Sequence, residues 1–138
     1  MVNFFRKIIS DTNPLRLFYH KIVAVMAALY YGFPSRKMIV IGVTGTNGKT
    51  TTVNLIAKIF ETAGYKVGMS STVNFQVGDR KWTNISKQTT SGRFALQKLL
   101  KEMADASCKY AVIEISSHAM TQSRVWGVNI DCAAFTNI

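Results

Sequence analysis

Lys49 and Thr50 sit in the stretch VTGTNGKTTT, residues 43–52, between an apolar run and a helical pattern. A lysine and a hydroxyl placed directly after two glycines suit the handling of nucleotide phosphates. Triphosphate oxygens need backbone N–H groups at close range, so Gly45 and Gly48 would keep side chains out of the loop, and the helix that follows adds a favourable dipole. Lys49 would reach the β- and γ-phosphates and Thr50 would place its hydroxyl on Mg²⁺, with Thr46, Asn47 and Thr51 in the same loop. The commoner phosphate loop has a glycine five residues before Gly48, where this chain has Val43.

Glu114 closes the apolar run Tyr110 to Ile115. At the ligand edge of a parallel sheet its carboxylate could hold Mg²⁺; the alternative is a strand-end glutamate paired with a nearby lysine. Thr89 and Thr90 precede a helical pattern, and Thr90 or Ser91 would serve equally as its N-cap. Arg124 suits a phosphate or carboxylate through its planar fork, or a solvated helix face. His118, alone after two serines, reads as a hydrogen-bonded structural residue and stays outside the catalytic set. Trp82 reads as a cross-strand contact in a hairpin. Cys108 and Cys132 lack metal-like spacing and read as small buried hydrophobes, both reduced.

The elements that must position these groups follow from periodicity. From Asn3 to Tyr31 apolar residues recur at three and four with a break at Asn13-Pro14, which predicts two helices, either lying on a membrane or partner or packed against the following sheet. Met38 to Val43 is a β-branched run suited to a strand buried on both faces. Val53 to Phe60 has helical spacing, with Gly64 as a cap. Lys66 to Ser71 reads as a strand, Val73 to Val77 with Lys81 to Ile85 as a hairpin about Gly78-Asp79, and Ser91 to Ala106 as a helix. Tyr110 to Ile115 is a further strand, Ser116 to Trp126 a loop with a short helix, and Cys132 to Thr136 the start of another strand. Strands alternating with helices predict an α/β, doubly wound, mainly parallel sheet with a P-loop, preceded by N-terminal helices. The division expected is a basic amphipathic helical segment at 1–37 and an ATP-binding domain at 38–138.

Composition fits one domain: 138 residues, 48% hydrophobic and 17% charged, without low-complexity segments. Seventeen basic against seven acidic residues point to a polyanionic partner. Residues 1–38 carry six basic residues against Asp11 alone, which allows peripheral membrane contact through residues 3–31. Nucleic-acid binding would rest on charge alone, with no interleaved aromatic and basic pattern, and is not expected. The apolar run Ile22 to Tyr31 is about half a membrane span and lacks a cleavage site after it, so a cytoplasmic chain is expected, as a monomer.

TGTNGKTTT resembles the ATP loop of the Mur ligases, the ATP-dependent amide-forming enzymes of peptidoglycan synthesis; folylpolyglutamate and cyanophycin synthetases have similar loops. Glu114-Ile115-Ser116-Ser117-His118, then Gln122 and Arg124, then Phe135-Thr136-Asn137 resemble the branch that adds the third residue to UDP-N-acetylmuramoyl-dipeptide. The resemblance implies ATP and Mg²⁺ as cofactors, the UDP-sugar peptide and an amino acid as substrates, and an acyl-phosphate mechanism. It implies Lys49 and Glu114 as catalytic, Thr50 and Glu114 at the metal, and Asn137 with the loop at ATP. Thr89, Thr90, Ser116, Gln122 and Arg124 would contact the muramoyl-peptide, although Ser91 replaces the family's proline. The family's uridine-binding domain is not found before Met38, nor its later histidine-containing, lysine-bearing and amino-acid-binding parts after Ile138. The chain is therefore expected to be the ATP-binding part of a longer ligase, inactive alone, or else a non-catalytic nucleotide-binding module.

Overall fold

The computed structural model describes residues 13–137, so the expected helix from Asn3 lies outside them. The order is α1 (Pro14–Tyr31), a 3₁₀ turn (Pro34–Lys37), β1 (Ile39–Thr44), α2 (Lys49–Thr62), β2 (Val67–Ser70), β3 (Asn74–Val77) and β4 (Arg80–Thr83). It continues with α3 (Arg93–Asp105), β5 (Tyr110–Glu114), α4 (Ser117–Thr121) and β6 (Cys132–Phe135). The strands form one sheet in the order β4-β3-β2-β5-β1-β6. β2, β5, β1 and β6 run parallel, while β3 pairs antiparallel with β2, and β4 with β3. The α/β fold with a mainly parallel sheet is as the sequence predicts.

Period-two alternation divides the strand side chains between two cores. Ile41, Val43, Val67, Met69 and Val112 meet Val53 and Ala57 of α2. Val40, Ala111 and Ile113 meet Leu96, Leu100 and Met103 of α3 on the opposite face. Burial on both faces is why these strands read as unbroken apolar runs. Gly68 is required by this packing, because a Cβ there would run into the Met103 side chain.

Asn13 caps α1 by accepting the Leu15 N–H through Oδ1 at 3.0 Å, Pro14 opens the helix, and Gly32 ends it at φ 69°. α1 packs against α3, with Ala24, Ala27 and Ala28 buried. The expected packing of this helix on the sheet is thus corrected: α3 already covers that sheet face. Leu15, Phe18, Ile22, Met26 and Leu29 face outward and are exposed, so an all-round apolar pattern does not here mean all-round burial. Among the described residues no helix is long and apolar enough to cross a membrane.

Two further local expectations are corrected. The N-cap of α3 is Gly92, without a side-chain cap, because Thr90 and Ser91 are drawn into the interior. Cys108 is buried, but Cys132 is exposed, since β6 is an edge strand with a neighbour on one side only. Trp82 does lie opposite Phe75 in the hairpin register, with ring centroids 5.7 Å apart.

Candidate functional site

The loop after β1 turns at two glycines, Gly45 at φ 136° and Gly48 at φ 78°, conformations that side-chain-bearing residues rarely adopt. A Cβ on Gly45 would also collide with the Thr136 hydroxyl. Position 43 cannot serve as a loop glycine here: Val43 still belongs to β1 and is fully buried against α2. Lys49 opens α2, and its ammonium donates to the carbonyls of Gly45 at 2.9 Å and Thr46 at 3.2 Å. The cation therefore stays over its own loop, beside the first turn of the helix.

The end of β6 holds the loop from the other side. Asn137 Oδ1 accepts the N–H groups of both Thr46 and Asn47 at 3.0 Å, and its Nδ2 donates to the Asn47 carbonyl at 3.3 Å. The Thr136 hydroxyl donates to the same carbonyl at 2.6 Å. Asn137 thus meets the loop backbone.

Glu114 reaches the loop because of sheet register. β1 and β5 are neighbours with Val43 opposite Glu114. Glu114 is two residues past Val112, so it faces α2. Thr50 Oγ1 donates to Glu114 Oε2 at 2.9 Å. Thr72 donates twice to the same carboxylate, from its N–H to Oε2 at 2.9 Å and from Oγ1 to Oε1 at 3.1 Å. The residue is 2% exposed, and none of the ion pairs among the described residues involves it. The lysine-pairing alternative for Glu114 is therefore not what these residues adopt.

The donor set fits Mg²⁺. Two hard oxygen ligands, the Thr50 hydroxyl and the Glu114 carboxylate, meet at the mouth of the loop. No group of three or more His, Cys, Asp or Glu side chains among the described residues could hold a metal by itself. Mg²⁺ commonly takes one or two protein oxygens and completes its shell with water and phosphate. A groove of about 510 Å³ runs from Thr50 and Thr51 along α2 to Glu61 and Lys81. At its far end burial works to raise the Glu61 carboxyl, but hydrogen bonds from Lys81 and Gln76 together with the Lys81 and Lys58 charges outweigh it and leave the pKa lowered.

Beside this edge lies a second cluster. The Thr90 hydroxyl donates to the Glu114 carbonyl at 3.1 Å and accepts the Ser116 N–H at 3.2 Å, so it ties the approach to α3 to the end of β5. Ser116 Oγ accepts the Ala119 N–H at 3.2 Å and caps α4. Arg124 donates from Nη1 to the Thr90 carbonyl and from Nε to Gln122 Oε1, both at 2.9 Å. Thr90, Ser116, Gln122 and Arg124 are therefore brought together, with Thr89 half-buried next to them, while His118 is exposed. Trp126 packs near Phe33, ring centroids 6.5 Å apart.

Sequence reasoning passed over Thr72 as a site residue. Its signal is its place just after β2, at the carboxyl edge shared by β1 and β5. The Asn54 and Asn74 amides, which bond each other beside the groove at 3.2 Å, left no comparable signal.

Comparison with known proteins agrees with this fold. Residues 43–138 match the family described as the Mur ligase middle domain. The chain is 47% identical over 118 residues to a UDP-N-acetylmuramyl-tripeptide synthetase of Roseiflexus sp. (strain RS-1), covering 84% of this chain and 23% of that protein. It is 45% identical over 118 residues to a UDP-N-acetylmuramoyl-L-alanyl-D-glutamate--2,6-diaminopimelate ligase of Clostridium botulinum, covering 86% and 24%. A solved structure of a ligase with the latter name is similar at TM-score 0.63 and 32% identity, over 72% of this chain and 20% of that one. The chain spans about a quarter of the length of these curated relatives.

Proposed function

Since the chain belongs to the Mur ligases, with their middle domain at residues 43–138, we propose that it is the ATP- and Mg²⁺-binding part of a ligase that joins an amino acid to UDP-N-acetylmuramoyl-dipeptide. The observation that carries this reading is the bond between Thr50 and Glu114 beside the Lys49 ammonium. It gathers a glycine-turned loop, a cation and two oxygen-bearing side chains at one sheet edge.

In this reading the backbone of Gly45 to Thr51 cradles the ATP phosphates, and Lys49 turns from its loop carbonyls to the β- and γ-phosphates. Thr50 and Glu114 would hold Mg²⁺, which would supply neutralisation of the phosphate charge. Asn137 and Thr136 fix the loop rather than touch the base. Thr89, Thr90, Ser116, Gln122 and Arg124 orient the muramoyl-peptide so that its carboxylate oxygen meets the γ-phosphorus in line. The bond from phosphorus to ADP breaks as the acyl-phosphate forms. The incoming amine then attacks the acyl carbon, loses a proton and expels phosphate. Relatives named for 2,6-diaminopimelate make a diamino acid the first amine to test, and a UDP-linked substrate suits a cytoplasmic reaction.

Calorimetric titration of the 138-residue chain with ATP tests the first half. Binding should be tighter with Mg²⁺ than without it and weaken at least about tenfold, about 1.4 kcal/mol, in Lys49→Ala. Absence of binding by the unsubstituted chain sinks the reading. The second half is tested by placing residues 43–138 in a relative's full-length ligase. Phosphate release should then need both the UDP-sugar dipeptide and the amino acid; release with a folate or cyanophycin substrate instead would move the chain to another branch.

A further inference from the structure

Arg93, on α3, and Arg124, in the turn after α4, converge on one residue. Arg93, the first residue of α3, donates from Nη2 to the Gln122 backbone carbonyl at 2.6 Å. Arg124 donates from Nε to the Gln122 side chain at 2.9 Å. No ion pair among the described residues compensates either guanidinium. Arg93 Nε is shielded from solvent and has no hydrogen-bond partner.

Each feature of this arrangement disfavours the charge it carries. A cation in the first turn of a helix opposes the helix dipole, and the first turn of α3 contains no acidic residue. Burial, followed by the Arg124 charge, pulls the Arg93 pKa down against the opposing influence of Tyr19. Two uncompensated guanidinium groups side by side, at a helix start, are the reverse of what stability alone selects. Their unused N–H groups offer planar, paired donors, the geometry that matches carboxylate and phosphate oxygens. Through Thr90, whose carbonyl binds Arg124 and whose hydroxyl binds the Glu114 carbonyl, the pair is linked to the end of β5.

We propose that Arg93 and Arg124 together form an oxyanion subsite near the carboxyl end of β5, with Arg93 as a second cation that the reading of Arg124 as a substrate contact does not include. The ligand class is an oxyanion, carboxylate or phosphate. Within the ligase reading above, on which only this assignment rests, it belongs to the muramoyl-peptide.

The test uses the 138-residue chain carrying Lys49→Ala, so that the phosphate loop does not compete, and follows the arginine Nε–H resonances by NMR. One arm adds inorganic phosphate and the other glutarate, at constant ionic strength. Arg93 and Arg124 should shift together and saturate in one arm, which identifies the source. Arg93→Gln should weaken that binding about fivefold or more, and Arg93→Lys should fall between, since it keeps the charge but not the fork. Thermal unfolding and the amide spectrum of each variant check that the fold is retained. Shifts that never saturate, that match those of exposed Arg36, or that persist unchanged in Arg93→Gln overturn the subsite. Failure of the ligase reading shows separately, as loss of ATP binding by the chain with Lys49 intact.

Discussion

Thr50, in the first turn of α2, donates its hydroxyl hydrogen to Glu114, at the end of β5, across 2.9 Å and 64 residues of sequence. The two meet because β5 inserts between β2 and β1, which brings its last side chain beneath the helix that leaves β1. Thr72 completes the arrangement from the end of β2.

Replacing Glu114 by Gln removes the charge and keeps the shape. Mg²⁺-dependent ATP binding should weaken at least about tenfold, while binding without Mg²⁺ changes little, as read by calorimetry. Equal affinity with and without the substitution in Mg²⁺ would remove Glu114 from the metal.

Thr72→Val deletes one donor to Glu114 Oε1 and leaves the backbone donor to Oε2 in place. The expected effect is a several-fold weaker Mg²⁺ dependence with a stability loss of roughly 1 kcal/mol, the usual worth of one hydrogen bond. Thr72→Ser should restore both. A variant that behaves like the unsubstituted chain in both measurements would make the contact incidental.

Asn137 separates loop order from loop charge. Asn137→Ala strips the acceptor from the Thr46 and Asn47 N–H groups, so the loop should exchange its amide hydrogens faster. Asn137→Asp keeps the acceptor and adds a negative charge where phosphates would lie. It should preserve protection but weaken ATP binding further than Ala. The reverse order would show that Asn137 acts through the ligand rather than the loop.

Gly68→Ala places a methyl group against Met103. The fully buried Met103 side chain must move within a packed core, at a cost of roughly 1–3 kcal/mol. A lower midpoint in urea at unchanged slope is the expected reading. An unchanged midpoint would mean that the layer between β2 and α3 is looser than its packing indicates.

The two thiols should differ sharply. Burial raises the Cys108 pKa more than the Gly78 backbone bond and the Lys66 charge lower it, so its thiolate is scarce in the folded state. Cys132 is exposed. At pH 8 an aromatic disulfide reagent should modify Cys132 at once and Cys108 only after unfolding; rapid modification of both would contradict the buried position of Cys108.

Glu61 gives an acid-side prediction. Its folded pKa lies below the ordinary glutamate value, so its contribution is present above the unfolded pKa and is lost as pH falls through the folded one. Carboxyl titration by NMR should show the Glu61 pKa rising in Lys81→Ala; no rise would assign the lowering to Gln76 and Lys58.

The alternation of strands and helices is legible in the residues alone, since burial on both faces demands unbroken apolar runs such as Val40 to Val43 and helices require their own spacing. The turn of the loop is legible as well, because Gly45, Gly48, Lys49 and Thr50 are neighbours in the chain and the backbone there needs the positive φ of the two glycines. What surrounds that loop was set by long-range folding. Strand order brought Glu114 and Thr72 to Thr50, the edge position of β6 exposed Cys132, and α3 took the sheet face that α1 was expected to cover. Nor does periodicity say that Arg93, on α3, and Arg124, in the turn after α4, share Gln122. Contacts between residues far apart in the chain depend on register and layer order, which no local pattern encodes.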